Sequence, residues 1–307
     1  MTPENRCLFC KKDSSKSVSR EHIIPESLGS KIKVLPKGIV CDKCNNYFAR
    51  KVEYPVMNHA SFRNLRAYFQ IPSKKGNMPS LLGKIGGLDL PINFRLDDQQ
   101  KNDINSEFGR HKGALKDFWK EAEINQDFSP LLFTVEIDPT KREMSRLLAK
   151  MGLEFLAYKH LSTKGFLANL INIPFYDPIR NYARVGDKGK EWPYHQRKIC
   201  PIDTEMIHPD TGEWVNIGFA ADLMLTPQKE TYFIFMLYGE EFVINLGGPS
   251  LDGYLLWLES NQNISPVIER IGLQITYEEV GKQTICRIVG DGDSNKGASF
   301  DKTRLIL

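Results

Sequence analysis

The clearest hydrophobic period in the chain runs from Thr140 to Leu161. Met144, Leu147, Leu148, Met151, Phe155 and Leu156 recur at helical spacing behind Pro139, which predicts a long core helix. A second helix is expected from Ala60 to Phe69, with Phe62, Leu65 and Phe69 along one face. A third is expected from Asn45 to Glu53, a stretch without a breaker until Pro55. The short apolar runs His22-Ile-Ile-Pro and Gly38-Ile-Val-Cys read as brief strands. Leu81 to Leu96 alternates enough for one or two strands, and Leu131 to Asp138 reads as a strand closing at Pro139. Residues 199–248 read as a run of strands, with turn signals at Pro209-Asp-Thr-Gly and Gly239-Glu-Glu. Within that run, Thr231 to Tyr238 is nearly continuous in apolar residues and predicts a buried central strand. Residues 71–80 are dense in Pro, Gly, Ser and Lys and read as a linker, and residues 97–127 carry no pattern that assigns them.

These elements predict an α+β protein. A small N-terminal domain spans residues 1–72, a linker and unassigned segment 73–130, and a larger mixed helix and strand domain 131–307. No apolar run approaches the roughly 20 residues that span a bilayer, so no membrane partner is expected. The opening Met-Thr-Pro-Glu-Asn-Arg lacks a basic-then-apolar leader pattern, which leads us to expect a cytoplasmic protein. The net charge of +3 conceals an asymmetry. Residues 1–75 hold 15 Lys and Arg against 6 Asp and Glu, an excess of nine that leaves the remainder at minus six. A basic head on a mildly acidic body suits a phosphate-bearing partner, although chance clustering on a solvated surface would produce the same sums.

The strongest chemical signal is Cys7-Leu-Phe-Cys10 followed by Cys41-Asp-Lys-Cys44. Two Cys-x-x-Cys knuckles let four thiolates converge tetrahedrally on one zinc ion. In a reducing compartment metal is expected before disulfides, and a redox pair would not need a second copy. A segment of about 70 residues with few large apolar groups also needs such a staple. A closed four-thiolate site has no open position, so this zinc is structural. It would pin the segment Ser19-Arg-Glu21-His22-Ile-Ile-Pro25 and, directly after the second knuckle, Asn45-Asn46.

In those residues the chain resembles the HNH endonucleases, in particular the subgroup with paired cysteine knuckles. The shared features are Glu21-His22-Ile23-Ile24-Pro25, Leu28-Gly29 and Cys41-Asp-Lys-Cys44-Asn45, covering Cys7 to about Glu53, or about a sixth of the chain. The resemblance implies a ββα-metal fold in which His22 is the general base that activates water. It implies Glu21 and Asn45 as ligands of a catalytic Mg²⁺ or Mn²⁺ ion, and a product with a 5′-phosphate. Oxygen donors suit these hard cations better than zinc. The sequence departs from the family pattern in three ways. The stretch Pro36-Lys37-Gly38 has no Asn where many members carry one. Asn46, Arg50 and Glu53 compete for a further helical position, so Asn46 and Glu53 are support candidates and Glu53 a candidate third ligand. Glu21 stands where Asp is common. Read without the resemblance, His22 could be a structural histidine and Asn45 a helix cap.

Lys31, Lys33, Lys37, Arg50 and Lys51, with Arg63 and Arg66, are candidate nucleic-acid contacts that would position a duplex without reading its sequence. His59, His111, His160, His195 and His208 have no ligand spacing, and Cys200 and Cys286 read as lone thiols. Arg180 and Arg184, at helical spacing after Asp177, could form an anion site but read first as ordinary surface pairing. The functional expectation is an endonuclease acting on DNA in preference to RNA. The larger segment would restrain it, recognise targets or form a homodimer, and defence against foreign DNA is one fitting setting. The rival expectation is a zinc-knuckle nucleic-acid-binding protein without catalysis.

Overall fold

The computed structural model describes residues 5–30, 33–73, 76–85, 90–96, 104–107, 131–133, 140–186, 191–202, 204–207, 214–216, 218–270, 273–280 and 283–290. In chain order the elements begin with β1 (Glu21–His22), β2 (Val34–Leu35) and α1 (Asp42–Phe48), which runs on as a π-helical stretch, Ala49–Glu53. Next come α2 (Tyr54–Asn58), α3 (Ala60–Tyr68), β3 (Leu81–Ile85), β4 (Leu90–Leu96), β5 (Ile104–Glu107) and β6 (Leu131–Phe133). Then follow α4 (Lys141–Lys159), α5 (Phe166–Asn172), α6 (Asp177–Val185) and β7 (Tyr194–Lys198). The chain continues with β8 (Glu205–Ile207), β9 (Trp214–Asn216), β10 (Phe219–Leu225), β11 (Thr231–Leu237) and β12 (Glu240–Asn245). The last elements are α7 (Asp252–Ser260), α8 (Pro266–Arg270), β13 (Leu273–Val280) and β14 (Gln283–Gly290). Helices and sheets mix, as the α+β expectation requires. Among the described residues no helix is long and apolar enough to cross a membrane.

The chain forms two compact units. One comprises Met1–Ile24, Ser30–Glu53 and Lys141–Leu307, the other Pro25–Gly29 and Tyr54–Thr140. These units do not follow the segments 1–72, 73–130 and 131–307, because α4 packs with the N-terminal residues through side chains that local pattern cannot assign to a partner.

The core of the first unit is an antiparallel sheet in the order β10-β11-β12-β7. Every residue of β11 is buried, which accounts for its unbroken apolar text. Tyr232, Ile234 and Met236 pack with Tyr254, Leu258, Val267 and Ile268 of α7 and α8. On the alternate positions, Phe233 meets Phe155 of α4 with ring centroids 5.6 Å apart. Gly152 lets α4 approach closely, since a Cβ there would lie 2.7 Å from Leu246 and 2.9 Å from Phe233. The β11–β12 hairpin turns on Tyr238 and Gly239, both at positive φ (45° and 83°), the pattern of a two-residue type I′ turn. The same unit holds the two-stranded β1-β2 pair and a second sheet, β13-β14-β8-β9, with β14 and β8 parallel. In the second unit the antiparallel sheet β5-β4-β3-β6 accompanies α2 and α3, and Phe62 and Leu65 of α3 are buried as expected.

The predicted helix at 140–161 is α4, and Leu81 to Leu96 supplies β3 and β4. The brief strand expected at Gly38-Ile-Val-Cys is a turn instead, with Gly38 at φ +88°, and β1 pairs with Val34–Leu35. The helix expected from Asn45 begins three residues earlier, at Asp42. The unassigned 97–127 contains β5, and β7, β13 and β14 were not anticipated. The Pro209-Asp-Thr-Gly turn and the end of the strand expected at 131–138 lie outside the described residues.

Candidate metal centre and active site

The first knuckle is a tight turn closed by Cys7 N–H to the Lys12 carbonyl (2.8 Å) and Lys11 N–H to the Cys7 carbonyl (2.9 Å), with Lys11 at φ +58°. Leu8 N–H donates to the Ile39 carbonyl at 2.8 Å and Cys41 N–H to the Cys7 sulfur at 3.3 Å, which brings the knuckles together. Cys41 occupies the N-cap position of α1, so Cys44 falls in its first turn. The four sulfurs of Cys7, Cys10, Cys41 and Cys44 lie within 4.8 Å of one another. Four sulfurs so close, on two rigid turns, fit the tetrahedral thiolate shell of zinc. Without a metal the thiols compete for charge. The Cys44 thiol donates to Cys7 and lowers the Cys7 pKa to about 5, whereas burial pushes Cys41 up to about 11. Cys44 itself is raised, first by that hydrogen bond and then by burial.

The knuckles also position the segment before β1. The Asp42 carboxylate, in the first turn of α1, accepts Ser19 N–H (2.9 Å), the Ser19 hydroxyl (2.5 Å) and Val18 N–H (3.2 Å). These bonds hold its pKa below the ordinary carboxylate value, the Ser19 hydroxyl contributing most. One turn on, Asn45 donates from Nδ2 to the Arg20 carbonyl at 3.1 Å. Asn45 is not a helix cap. Its own N–H is already inside the helical ladder, bonded to the Cys41 carbonyl at 2.9 Å. Its amide oxygen is the acceptor end of the same side chain.

His22 is half-buried on β1, paired with Val34. Its neighbour Glu21 is only 5% exposed and meets the ammonium of Lys150 at 2.6 Å. Lys150 lies on α4, is fully buried, and also contacts Glu53 at 2.8 Å and Glu154 at 3.1 Å. It donates to the backbone carbonyl of His22 at 3.1 Å. Burial opposes the charge on Lys150, yet the carboxylates of Glu154, Glu21 and Glu53 outweigh it and raise the pKa well above the usual lysine value. Burial raises that of Glu154 well above the usual carboxylate range, against the pull of the Lys150 ammonium beside it. Removing the lysine would strand buried acid, a loss of about 3–5 kcal/mol for a buried pair broken on one side.

Glu21 and Glu53 are thus brought together on Lys150, and Asn45 is tied to the segment carrying Glu21 and His22. Asn46 is exposed, its carbonyl accepting Arg50 Nε at 3.3 Å. As anionic and amide oxygens, Glu21 and Asn45 suit a hard divalent cation in donor chemistry, while Oε1 of Glu21 is engaged by the Lys150 ammonium. Lys37, Arg50 and Lys51 are exposed. Lys33 is only 2% exposed, with its ammonium 5.4 Å from the centroid of the Phe155 ring, and Arg66 is buried. Lys31 lies outside the described residues.

Residues 7–61 match the HNH endonuclease family. The matched stretch contains all four cysteines, Glu21, His22, Asn45 and Glu53, and gives the chain an HNH endonuclease domain with a nucleic acid as its implied substrate. No curated protein and no solved structure matches the chain.

Sequence reasoning missed the residues that reach the HNH stretch from further along the chain. Arg146, Lys150 and Glu154 form a polar stripe at four-residue spacing along α4, and that stripe was the available signal. Arg146 donates to the Tyr47 hydroxyl (3.0 Å) and to the carbonyls of Ala183 (3.1 Å) and Arg184 (3.0 Å). Arg180, expected at the surface, is 1% exposed, because its guanidinium reaches buried carbonyls.

Proposed function

We propose that the chain is a metal-dependent endonuclease that hydrolyses phosphodiester bonds in DNA, with His22 as general base. The observation that carries this reading is the bond from Asn45 to the Arg20 carbonyl. It ties the helix opening at the second knuckle to the strand bearing His22, within the stretch that matches HNH endonucleases. An imidazole titrates near neutrality and can take a proton from water. The water oxygen then attacks phosphorus in line, the bond to the 3′ oxygen breaks, and a 5′-phosphate and a 3′-hydroxyl remain. Glu21 and Asn45 are the residues that would hold a Mg²⁺ or Mn²⁺ ion, which when bound stabilises negative charge on the leaving oxygen. The exposed Lys37, Arg50 and Lys51 contact phosphates along the duplex. Defence against foreign DNA suits a nuclease stretch held by helices of the same chain, since such a task requires restraint.

A non-cleaving zinc-knuckle module is the second reading, favoured by the engagement of Glu21 with Lys150. Plasmid nicking with Mg²⁺ separates the two. The wild-type protein nicks, and His22→Ala nicks at least about a hundredfold more slowly while still binding DNA. Equal nicking by both proteins would exclude His22 as the base, and binding without nicking by either would favour the second reading.

A further inference from the structure

We propose that Lys150 is a positioning residue of the HNH site, holding the strand that carries His22 in register from beneath. This inference rests on the reading of His22 as the catalytic base. Lys150 lies well outside the matched stretch and 128 positions from His22, yet three of its four oxygen partners belong to that stretch. They are Glu21 Oε1, Glu53 Oε1 and the His22 carbonyl.

The need for such a residue follows from the size of β1. It has two residues, paired with the two residues of β2 and extended by one bond from Ile23 N–H to the Lys33 carbonyl at 3.0 Å, so its register leans on contacts from outside the ladder. Gripping the Glu21 carboxylate holds this short strand at one residue, and the bond to the His22 carbonyl fixes the backbone at the next. The grip is rigid at its other end. α4 is seated against β11 through Gly152 and Phe155, and Arg146, one turn before Lys150, holds α1 through the Tyr47 hydroxyl. One helix thus fixes both the strand and the helix of the HNH stretch.

A lysine that merely neutralised buried acid would matter for stability alone. The comparison that separates the two roles uses full-length, zinc-loaded protein in which position 154 is already neutral. Glu154→Gln is set against Lys150→Met/Glu154→Gln and Lys150→Gln/Glu154→Gln, by plasmid nicking with Mg²⁺ and by amide hydrogen exchange. Glu154→Gln is expected to nick within about threefold of wild type. The Met double variant should lose about a hundredfold in kcat with KM for plasmid unchanged, since the exposed basic residues are intact. Its zinc content should not change, and exchange should quicken at residues 21–24 but not at 7–12. The Gln double variant, whose amide can still donate to the His22 carbonyl, should recover about tenfold in kcat over Met. It also decides the matter against Glu154→Gln if the Met protein does not fold. A Lys150 variant that nicks as fast as Glu154→Gln, or exchanges identically at 21–24, overturns the proposal. If wild type nicks no plasmid with Mg²⁺ or Mn²⁺, the nuclease reading falls, and the exchange comparison alone decides whether Lys150 positions the strand.

Discussion

Arg180 Nε donates to the carbonyl of Leu8 at 2.7 Å, so a helix from the second half of the chain reaches into the first cysteine knuckle. The same guanidinium donates to the Leu170 carbonyl at 2.8 Å and pairs with Asp177, which also receives the Lys11 ammonium at 2.5 Å. Leu8 lies between the two cysteines of the knuckle, and orphaning its carbonyl loosens the turn that presents them. Arg180→Met leaves two buried acceptors without their donor and should destabilise the protein by about 2–4 kcal/mol in urea unfolding. Zinc should also transfer to a competing chelator about tenfold faster than from wild type. Unchanged transfer would show that the knuckle does not depend on α6.

Zinc binding should be steeply dependent on pH. In the metal-free protein Cys7 is ionised above about pH 5, while Cys41, raised to about 11, and Cys44, raised further, are thiols at neutral pH. Ligation requires thiolates, so Cys41 and Cys44 must each release a proton when zinc enters. Protons therefore compete with the metal, and affinity falls as pH falls. Cys41 and Cys44 alone account for two protons, so affinity should fall by at least about a hundredfold per pH unit between about pH 8 and 6. Calorimetry in buffers of different ionisation enthalpy measures the proton count directly. A pH-independent affinity would mean that the four sulfurs do not bind as a set.

The difference between what the sequence announced and what it concealed follows the range of each interaction. The knuckles, Glu21-His22 and Asn45 are legible because their chemistry is written in local spacing, and α4 and β11 because periodicity and continuous apolar text report burial. The start of α1 was misplaced because the second knuckle itself initiates the helix, at Cys41, before any apolar period begins. Gly38 broke the expected strand because its positive φ closes a turn, leaving Val34–Leu35 to pair with β1. In the sequence Arg180 reads as ordinary surface pairing, and it does pair, with Asp177. Its burial was not foreseen, because the acceptors Leu8 and Leu170 come from elsewhere in the chain. Lys150 shows the same limit: α4 was recognised as core, but no local rule names the acid that a buried lysine on it will meet.

Asn45 makes a prediction that a general loss of stability does not mimic. Its Nδ2 holds the Arg20 carbonyl, and its oxygen is the atom that would hold a cation in the proposed function. Asn45→Asp keeps an oxygen and removes the donor, whereas Asn45→Ala removes both. Each should cost about 1 kcal/mol of stability from the lost hydrogen bond. If Asn45 acts only through the strand, the two variants nick plasmid at equal, reduced rates. If its oxygen also holds a divalent ion, Asn45→Asp retains more activity at high Mg²⁺ than Asn45→Ala, and we expect this second outcome. Equal rates at every Mg²⁺ concentration would remove Asn45 from the ligand set.

The basic residues of the HNH stretch divide by burial, and salt titration should divide them in the same way. Lys37, Arg50 and Lys51 are exposed, so each is free to neutralise a phosphate, and each phosphate contact adds about one unit to the slope of log affinity against log salt. Lys37→Ala, Arg50→Ala and Lys51→Ala should each flatten that slope by up to about one unit without altering thermal stability, and their effects should add. Lys33 has the same charge but lies against Phe155 of α4 at 2% exposure, where its ammonium interacts with the ring rather than with a duplex. Truncating it removes a buried stem and a cation–π contact, so Lys33→Ala should lower stability by about 1–2 kcal/mol while leaving the salt slope as in wild type. A Lys33→Ala protein of normal stability with a flattened slope would mean that binding DNA draws this side chain out of the fold.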